Sequence, residues 1–455
     1  MNKIKVVIIG AGSATFGGGT IADLTASPEL RELELEIWLV DVDAAALERT
    51  RRLAEHIREH YRSPAKIEAT TDRTEALPGA DYVITSVARS RWDLWEKEYY
   101  IPLAYGFRHV LGENGGPGAA FHTLRSLHLM IPIARDMERL CPNALLLNFT
   151  NPESRVCLGV AELTKIRTVG LCHGPVATLR RIGEILAKPV EEIELTVAGI
   201  NHFHWALEVR DRKTGKDLRP ALAARLESVD WDIDTLSPLL FQSFGYLTYP
   251  APSHPGEYLR FAHEIAGPQL IAWGIGGVSR KLSAKASDYE YVIEGQSNQY
   301  CYHLWSMELV ERIDRVLSGA EPLSEEFTQT TVELTVPIIC DIELDRNRRE
   351  LAANVLNRGN AIGNLPEDAV VEVPIRVDAG GVHPVQIGAL PEAIAGMCNL
   401  QISIQKLLVE AYRTGSRKAL LQALLIDPVV DSYRRAREMM ETMIKVEADY
   451  LPELS

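Results

Sequence analysis

The sequence predicts an α/β protein: a doubly wound parallel sheet at the N-terminus, then a mixed, mainly helical second domain. Three observations carry this. Short β-branched runs alternate with amphipathic helical stretches through the first half, the pattern that builds a parallel sheet. The first run, Val6-Val7-Ile8-Ile9, breaks abruptly into Gly10-Ala11-Gly12-Ser13, a strand entering a tight turn. After about residue 200 the alternation gives way to longer helical stretches separated by Gly- and Pro-rich pieces.

In chain order, 5–9 is extended and 20–25 lies in a helix. Residues 35–40 form a second extended run that ends in Asp41. The stretch 44–61 is helical because Leu47, Leu53 and Ile57 share one face. Further extended runs follow at 67–70, 82–86, 144–149, 168–172 and 193–198, with a helix holding His122 and Arg125 between 82–86 and 144–149. Beyond residue 200, 302–317 and 395–414 read as helices, and 249–256 and 377–388 as irregular. The expected division is a Rossmann-like nucleotide domain over 1–198 and a mixed α/β substrate and oligomerisation domain over 199–455. The long helices of the second half suggest a homodimer or homotetramer. Doubly wound sheets bind ligands at the carboxyl ends of their strands. Residues 10–13, Asp41, 148–151 and Cys172 all fall at such ends.

Composition narrows the classes. The formal net charge of −14 over 455 residues argues against a nucleic-acid partner, which needs a basic face. A hydrophobic content of 46% allows a large core and argues against global disorder. The six cysteines, Cys141, Cys157, Cys172, Cys301, Cys340 and Cys398, contain no CxxC pair, which fits a reducing, cytoplasmic setting better than a disulfide framework. Lys3 and Lys5 precede a short apolar run that breaks at Gly10, so a first strand is the better reading than a signal peptide. No apolar stretch approaches the ~20 residues of a membrane span. The expected partner is a small molecule.

Gly10 and Gly12 begin a dinucleotide fingerprint: the first glycine allows the turn, and the second lets backbone approach a pyrophosphate. The third glycine is missing from its usual place, with Gly17, Gly18 and Gly19 following instead. Gly10, Gly12 and Ser13 are the candidate cradle. Asp41 is placed to bond a ribose 2′-hydroxyl, which favours NAD over NADP; the alternative is that it caps the next helix. Cys172 and His202, each after an extended run, offer a thiolate and an imidazole for a transition metal. The alternative is a buried small hydrophobe and a hydrogen-bonded core histidine. Asn148 and Asn151 flank a turn set by Pro152, where amides can hold nicotinamide or sugar hydroxyls, or simply build an Asx-turn. The glycine-rich loop around Glu113 either closes over substrate or merely connects.

Together, Gly10-Ala11-Gly12-Ser13, the 112–118 loop, Asn148-Phe149-Thr150-Asn151-Pro152, Cys172-His173-Gly174 and Gly199-Ile200-Asn201-His202 resemble glycoside hydrolase family 4. Leu365-Pro366-Glu367-Asp368, Val371-Glu372-Val373-Pro374 and Gly381-Val382-His383-Pro384 are similar too, so the resemblance runs along nearly the whole chain. It implies a glycosidase that uses NAD and a divalent metal, usually Mn2+, and departs from the two-carboxylate scheme. It implies C3 oxidation, C2 deprotonation, elimination, water addition and re-reduction. It further implies Cys172 and His202 as metal ligands, Asn148 at the nicotinamide, and Asn151 and Glu113 at the sugar.

The chain also departs from that pattern. Pro252-Ser253-His254 stands where members carry an Asp-x-His segment or a tyrosine supplying the C2 base, leaving Tyr249 or His254 as candidates and Tyr258 as a weaker one. Phospho-sugar members tend to carry Asp or Asn after the cysteine. His173 at that place favours a non-phosphorylated hexoside or hexuronide, and could itself protonate the leaving oxygen or hold a sugar hydroxyl. Arg125, Arg280 and His383 are candidate partners for a uronic carboxylate. Two other readings stand beside this one: a lactate/malate-type 2-hydroxyacid dehydrogenase, and an inactive sugar- and NAD-binding regulator.

Overall fold

The computed structural model describes residues 3–226, 229, 236–251, 253–265 and 298–455. Among these, eleven strands form one sheet. Its first half comprises β1 (Lys3–Ile9), β2 (Glu34–Val40), β3 (Lys66–Thr70), β4 (Tyr82–Thr85), β5 (Leu145–Asn148) and β6 (Arg167–Gly170), all parallel, in the order β3-β2-β1-β4-β5-β6. That is the strand order of a dinucleotide-binding sheet.

Burial on both sides explains why β1 is continuously apolar. Val6 and Ile8 pack with Ile21, Leu24 and Leu53 on one face, while Val7 and Ile9 pack with Val83, Leu127 and Met130 on the other. The helix Ala44–His60 starts at Asp43, whose carboxylate accepts from the N–H groups of Ala45 and Ala46, and it buries Leu47, Leu53 and Ile57. The helix Gly116–Leu140 covers the opposite face, with Leu127, Met130 and Ala134 inward.

The sheet then continues in the opposite sense. β7 (Ile193–Ile200), β8 (Phe203–Asp211), β9 (Arg348–Leu356), β10 (Val370–Asp378) and β11 (Gly381–Pro384) extend it in the order β6-β9-β10-β7-β8, with β11 on β10. Every pairing in this half is antiparallel. The expected division at 198/199 falls inside β7, so the sheet passes through it. The second half does supply the long helices Asn298–Leu317 and Glu392–Thr414 where helices were expected.

It also supplies four strands that the sequence pattern concealed. β9 reads Arg-Arg-Glu-Leu-Ala-Ala-Asn, a helix-favouring composition. β10 carries Pro374 at a register shift between Val373 and Ile375, a breaker where a strand would be sought. The stretch 377–388, expected to be irregular, turns back as the β10–β11 hairpin. The stretch 249–256 contains the short helix Ser253–Gly256. Among the described residues no helix is long and apolar enough to cross a membrane.

The two halves meet at a seam with very little strand pairing. There β6 touches β9 through Gly170 opposite Asn354, and just beyond, inside the antiparallel half, β10 touches β7 through Glu372 opposite Gly199. The chain segments that carry the candidate ligands leave the sheet on either side of this seam.

Candidate active site

At the first strand end, Gly10 has φ +90°, and a Cβ there would lie 2.1 Å from the carbonyl oxygen of Ser86. Only glycine permits that approach. The N–H of Gly12 donates to Asp41 Oδ2 at 2.8 Å, and Asp43 N–H donates to Oδ1 at 2.9 Å. Asp41 therefore ties the loop to the end of β2, and the helix-cap role falls to Asp43. Each Asp41 oxygen keeps a further lone pair for a ligand hydroxyl. The helix after the loop begins at Gly17, earlier than expected. A Cβ on Gly17 would lie 2.5 Å from the carbonyl of Ala11, so this residue fills the helix-packing role of the displaced third glycine. Ser13 accepts through its carbonyl from Gly17 N–H.

At the seam, three donor atoms converge. Glu153, Cys172 and His202 each offer one ligand atom, and these atoms all lie within 4.8 Å of one another. Cys172 follows β6 by two residues, and its Sγ accepts from Gly174 N–H at 3.3 Å. His202 sits in the turn between β7 and β8, buried, with Nδ1 unpartnered. Glu153 opens the helix Glu153–Leu163 directly after the Asn-Pro turn. Burial beside Glu372 and Glu153 pushes the Cys172 thiol well up, and burial, with His254, His173 and His204 nearby, pushes His202 well down. The pair Cys172 and His202 was legible in the sequence; Glu153 was missed. Its only signal is an acid following Asn151-Pro152.

A buried polar network stands behind these donors. Asn354 Nδ2 donates to Glu153 Oε1 at 2.6 Å and to Glu372 Oε1 at 3.3 Å. Ser154 Oγ donates to Asn354 Oδ1 and accepts from Asn201 N–H. Glu372 Oε2 lies 2.6 Å from His204 Nδ1, and His204 Nε2 lies 2.9 Å from Thr178 Oγ1. Glu372 and Asn354 were also missed as site residues, because each lies on a strand that the pattern did not reveal. A Cβ on Gly170 would come within 2.4 Å of Glu153 Oε1 and 2.9 Å of Asn354 Cβ, so the seam closes only around a glycine.

Aromatic groups cover the site. Tyr249 is held beside β8, where Thr248 bridges Trp205 and its hydroxyl donates to the His204 carbonyl. Tyr249 Oη lies 3.0 Å from His173 Nε2, and the other ring nitrogen of His173 faces Glu333 Oε1 at 3.7 Å. That carboxylate is the main cause raising the His173 pKa. His254 packs edge-on to Tyr249 at 4.4 Å between centroids and lies 5.0 Å from the His202 ring. Burial, with His173 and His204 close by, pushes His254 down to about 3. Tyr258 is engaged at its hydroxyl on both sides, donating to the Asn201 carbonyl and accepting from His202 N–H. Pro252 lies outside the described residues, as does Arg280.

Other candidates are placed differently from expectation. Asn148 is fully buried, and its Oδ1 accepts from Thr150 N–H and Thr85 Oγ1 while its Nδ2 donates to the Thr150 carbonyl. It takes the Asx-turn arrangement, with both amide atoms engaged within the chain. Asn151 instead points to Glu113, donating through Nδ2 to Oε1 at 3.2 Å. Glu113 also meets Arg91 at 3.5 Å. The 112–118 loop is fastened by Glu257, whose Oε1 accepts from the N–H groups of Glu113, Asn114 and Gly115. Arg125 is buried in a two-bond ion pair with Glu98, and His383 pairs with Asp378 in the β10–β11 hairpin. Both are engaged by carboxylates of this chain.

Comparison with known proteins adds to this geometry. The model of the family 4 glycosyl hydrolases matches residues 5–188, and that of the family 4 glycosyl hydrolase C-terminal domain matches residues 197–430. The chain is 31% identical to the alpha-glucosidase of Erwinia rhapontici, covering 98% of each protein. It is 29% identical to the alpha-galactosidase of Bacillus subtilis (strain 168), covering 99% of each. Its fold superposes with a TM-score of 0.83 on a 6-phospho-alpha-glucosidase from gut microorganisms solved with NAD and Mn2+, at 22% identity over 100% of both chains.

Proposed function

The chain belongs to family 4 of the glycosyl hydrolases, and from that premise we propose that it cleaves a non-phosphorylated hexoside or hexuronide with NAD and Mn2+ as cofactors. A hydrolase family over nearly the whole chain leaves the hydroxyacid-dehydrogenase and regulator readings without support. The observation that carries the proposal is the convergence of Cys172, His202 and Glu153 at the seam.

The residues fit both cofactors. Gly10 and Gly12 leave the loop backbone open to a pyrophosphate, Ser13 lies beside it, and Asp41 presents an anion to a ribose hydroxyl. Val42, 91% exposed next to Asp41, offers an apolar surface for a base to cover. Cys172 and His202 supply sulfur and nitrogen donors, and a dication would reverse the upward push on the thiol. Bound there, NAD would supply a hydride acceptor and the cation Lewis acidity toward substrate oxygens.

The chain's own groups do the rest. Tyr249 takes the C2 proton, its hydroxyl relayed through His173 toward Glu333. Tyr249 is preferred over His254 because its hydroxyl joins His173 and Glu333, whereas burial holds His254 down to about 3. His173 also stands where it can return a proton to the leaving oxygen. Asn151 and Glu113 hold sugar hydroxyls under the 112–118 loop. Glu113, Glu153, Glu333 and Glu372 give the site an acidic lining, which disfavours a phosphate dianion and supports the non-phosphorylated substrate. The match to an alpha-glucosidase and an alpha-galactosidase supports the same reading.

Nitrophenyl glycosides, with Mn2+, NAD and a thiol reductant, test the proposal. Nitrophenol release without net NADH, and deuterium at C2 of the product sugar in heavy water, are expected. Hydrolysis that leaves C2 unlabelled would overturn the proton abstraction. A homodimer or homotetramer belongs to the same proposal and is checked by sedimentation.

A further inference from the structure

We infer that Glu153 is a third protein ligand of the cation, so that this chain holds the ion with one sulfur, one nitrogen and one oxygen before any sugar arrives. The inference rests on the reading of Cys172 and His202 as metal ligands and goes one donor further.

Four observations support it. The Glu153, Cys172 and His202 donor atoms lie within one ion's reach of each other. The Glu153 carboxylate is aimed rather than loose: Oε1 accepts from Asn354 Nδ2 at 2.6 Å, and Asn354 is itself held by Ser154 and Glu372. Metal-ligating carboxylates are ordinarily fixed by such hydrogen bonds. Third, the charge is uncompensated. Glu153 is 2% exposed, and among the described residues no cationic side chain forms an ion pair with it, while the neighbouring Glu372 has only His204. A buried carboxylate without a counter-charge is costly, and a dication supplies one.

The fourth is donor chemistry. A thiolate and an imidazole alone suit softer metals, whereas carboxylate oxygen suits manganese. Glu153 thus supplies a hard donor that would otherwise have to come from substrate or water. Gly170 is what lets the carboxylate approach, because a Cβ there would come within 2.4 Å of Oε1.

Mn2+ alone, titrated into chelator-stripped protein with NAD and no sugar, tests this by electron paramagnetic resonance of the unbound ion. Glu153→Gln keeps the size of the side chain and an acceptor for Asn354. It should weaken Mn2+ binding tenfold or more, and lower the preference for Mn2+ over Cd2+, with NAD affinity unchanged. Cys172→Ser should weaken Mn2+ binding at least as much. If Cys172→Ser loses the ion while Glu153→Gln binds like wild type, the third ligand is wrong and the two-ligand site stands. If both variants bind like wild type, the two-ligand site falls as well. Should Glu153→Gln fail to fold, the wild-type chain answers: with 13C-labelled glutamate, Mn2+ addition should shift a glutamate carboxylate infrared band, and an unshifted spectrum overturns the inference.

Discussion

The nucleotide loop and the seam site are built in opposite ways. The loop is assembled within one strand–turn–helix unit, from Gly10 to Gly17, with a single long-range tie from Gly12 to Asp41. The seam draws Glu153, Cys172, His202, Glu372 and Asn354 from five separated segments, three of them on an antiparallel extension. Local backbone geometry therefore governs the first, and tertiary packing of polar groups the second. The two should be separable by mutation: damage at the seam should spare NAD, and damage at the loop should spare the metal.

The largest expected effect tests that separation directly. Cys172→Ser should lower metal-dependent turnover by about 10^3-fold or more, in line with loss of electrostatic stabilisation at a reacting centre, while NAD affinity by fluorescence titration stays within about threefold. Coupled loss of both would show that the two regions act as one unit.

Next comes Gly170→Ala, which attacks the seam through packing alone. Its Cβ would meet Glu153 Oε1 at 2.4 Å and both Asn354 Cβ and Cys157 Sγ at 2.9 Å. It should cost about 1–3 kcal/mol of stability by denaturant unfolding and weaken Mn2+ binding as well. Unchanged stability would mean that the seam is looser than these contacts imply.

Asp41→Asn is the converse test. Removing the charge should weaken NAD roughly tenfold to a hundredfold, the scale of a hydrogen bond to a charged group, and leave Mn2+ affinity alone. Isothermal titration of each ligand separates the outcomes.

The smallest effect concerns the ground beneath the 112–118 loop. His109 is buried, stacks on Tyr99 and bonds the Tyr99 carbonyl at 2.7 Å. Burial pushes it down to about 4. The unfolded chain then binds a proton that the folded chain refuses, so stability contributed by the neutral ring is complete above pH 6.5 and declines as pH falls toward 4. The slope from this residue should reach at most about 1.4 kcal/mol per pH unit. Unfolding of wild type and His109→Gln across that range should differ in slope; parallel curves would remove His109 as a cause.

Much of the loop was legible because its requirements are local. Hydrophobic periodicity set the six parallel strands, and glycine spacing plus one acid set the cradle. Even there, the chain alone could not say whether Asp41 faced a ligand or capped the following helix, and only the fold gives the cap to Asp43 on Ala45 and Ala46. Asn148 shows a similar ambiguity: an amide at a strand end serves a ligand or its own turn, and the fold shows it bonded within its turn. At the seam, Cys172 and His202 stood out as unusual donors in glycine-flanked turns, and Tyr249 as a base candidate.

The sequence by itself thus determined the parallel sheet, the cradle and two of the donors, because period, glycine and rare ligand types act over a few residues. Only the tertiary structure brought Glu153 beside Cys172 and His202, set Asn354 and Glu372 behind it, and aligned Tyr249, His173 and Glu333. Those contacts join residues up to 201 positions apart across a sheet seam, and no local pattern encodes which acids a fold will bring together and leave without a counter-charge.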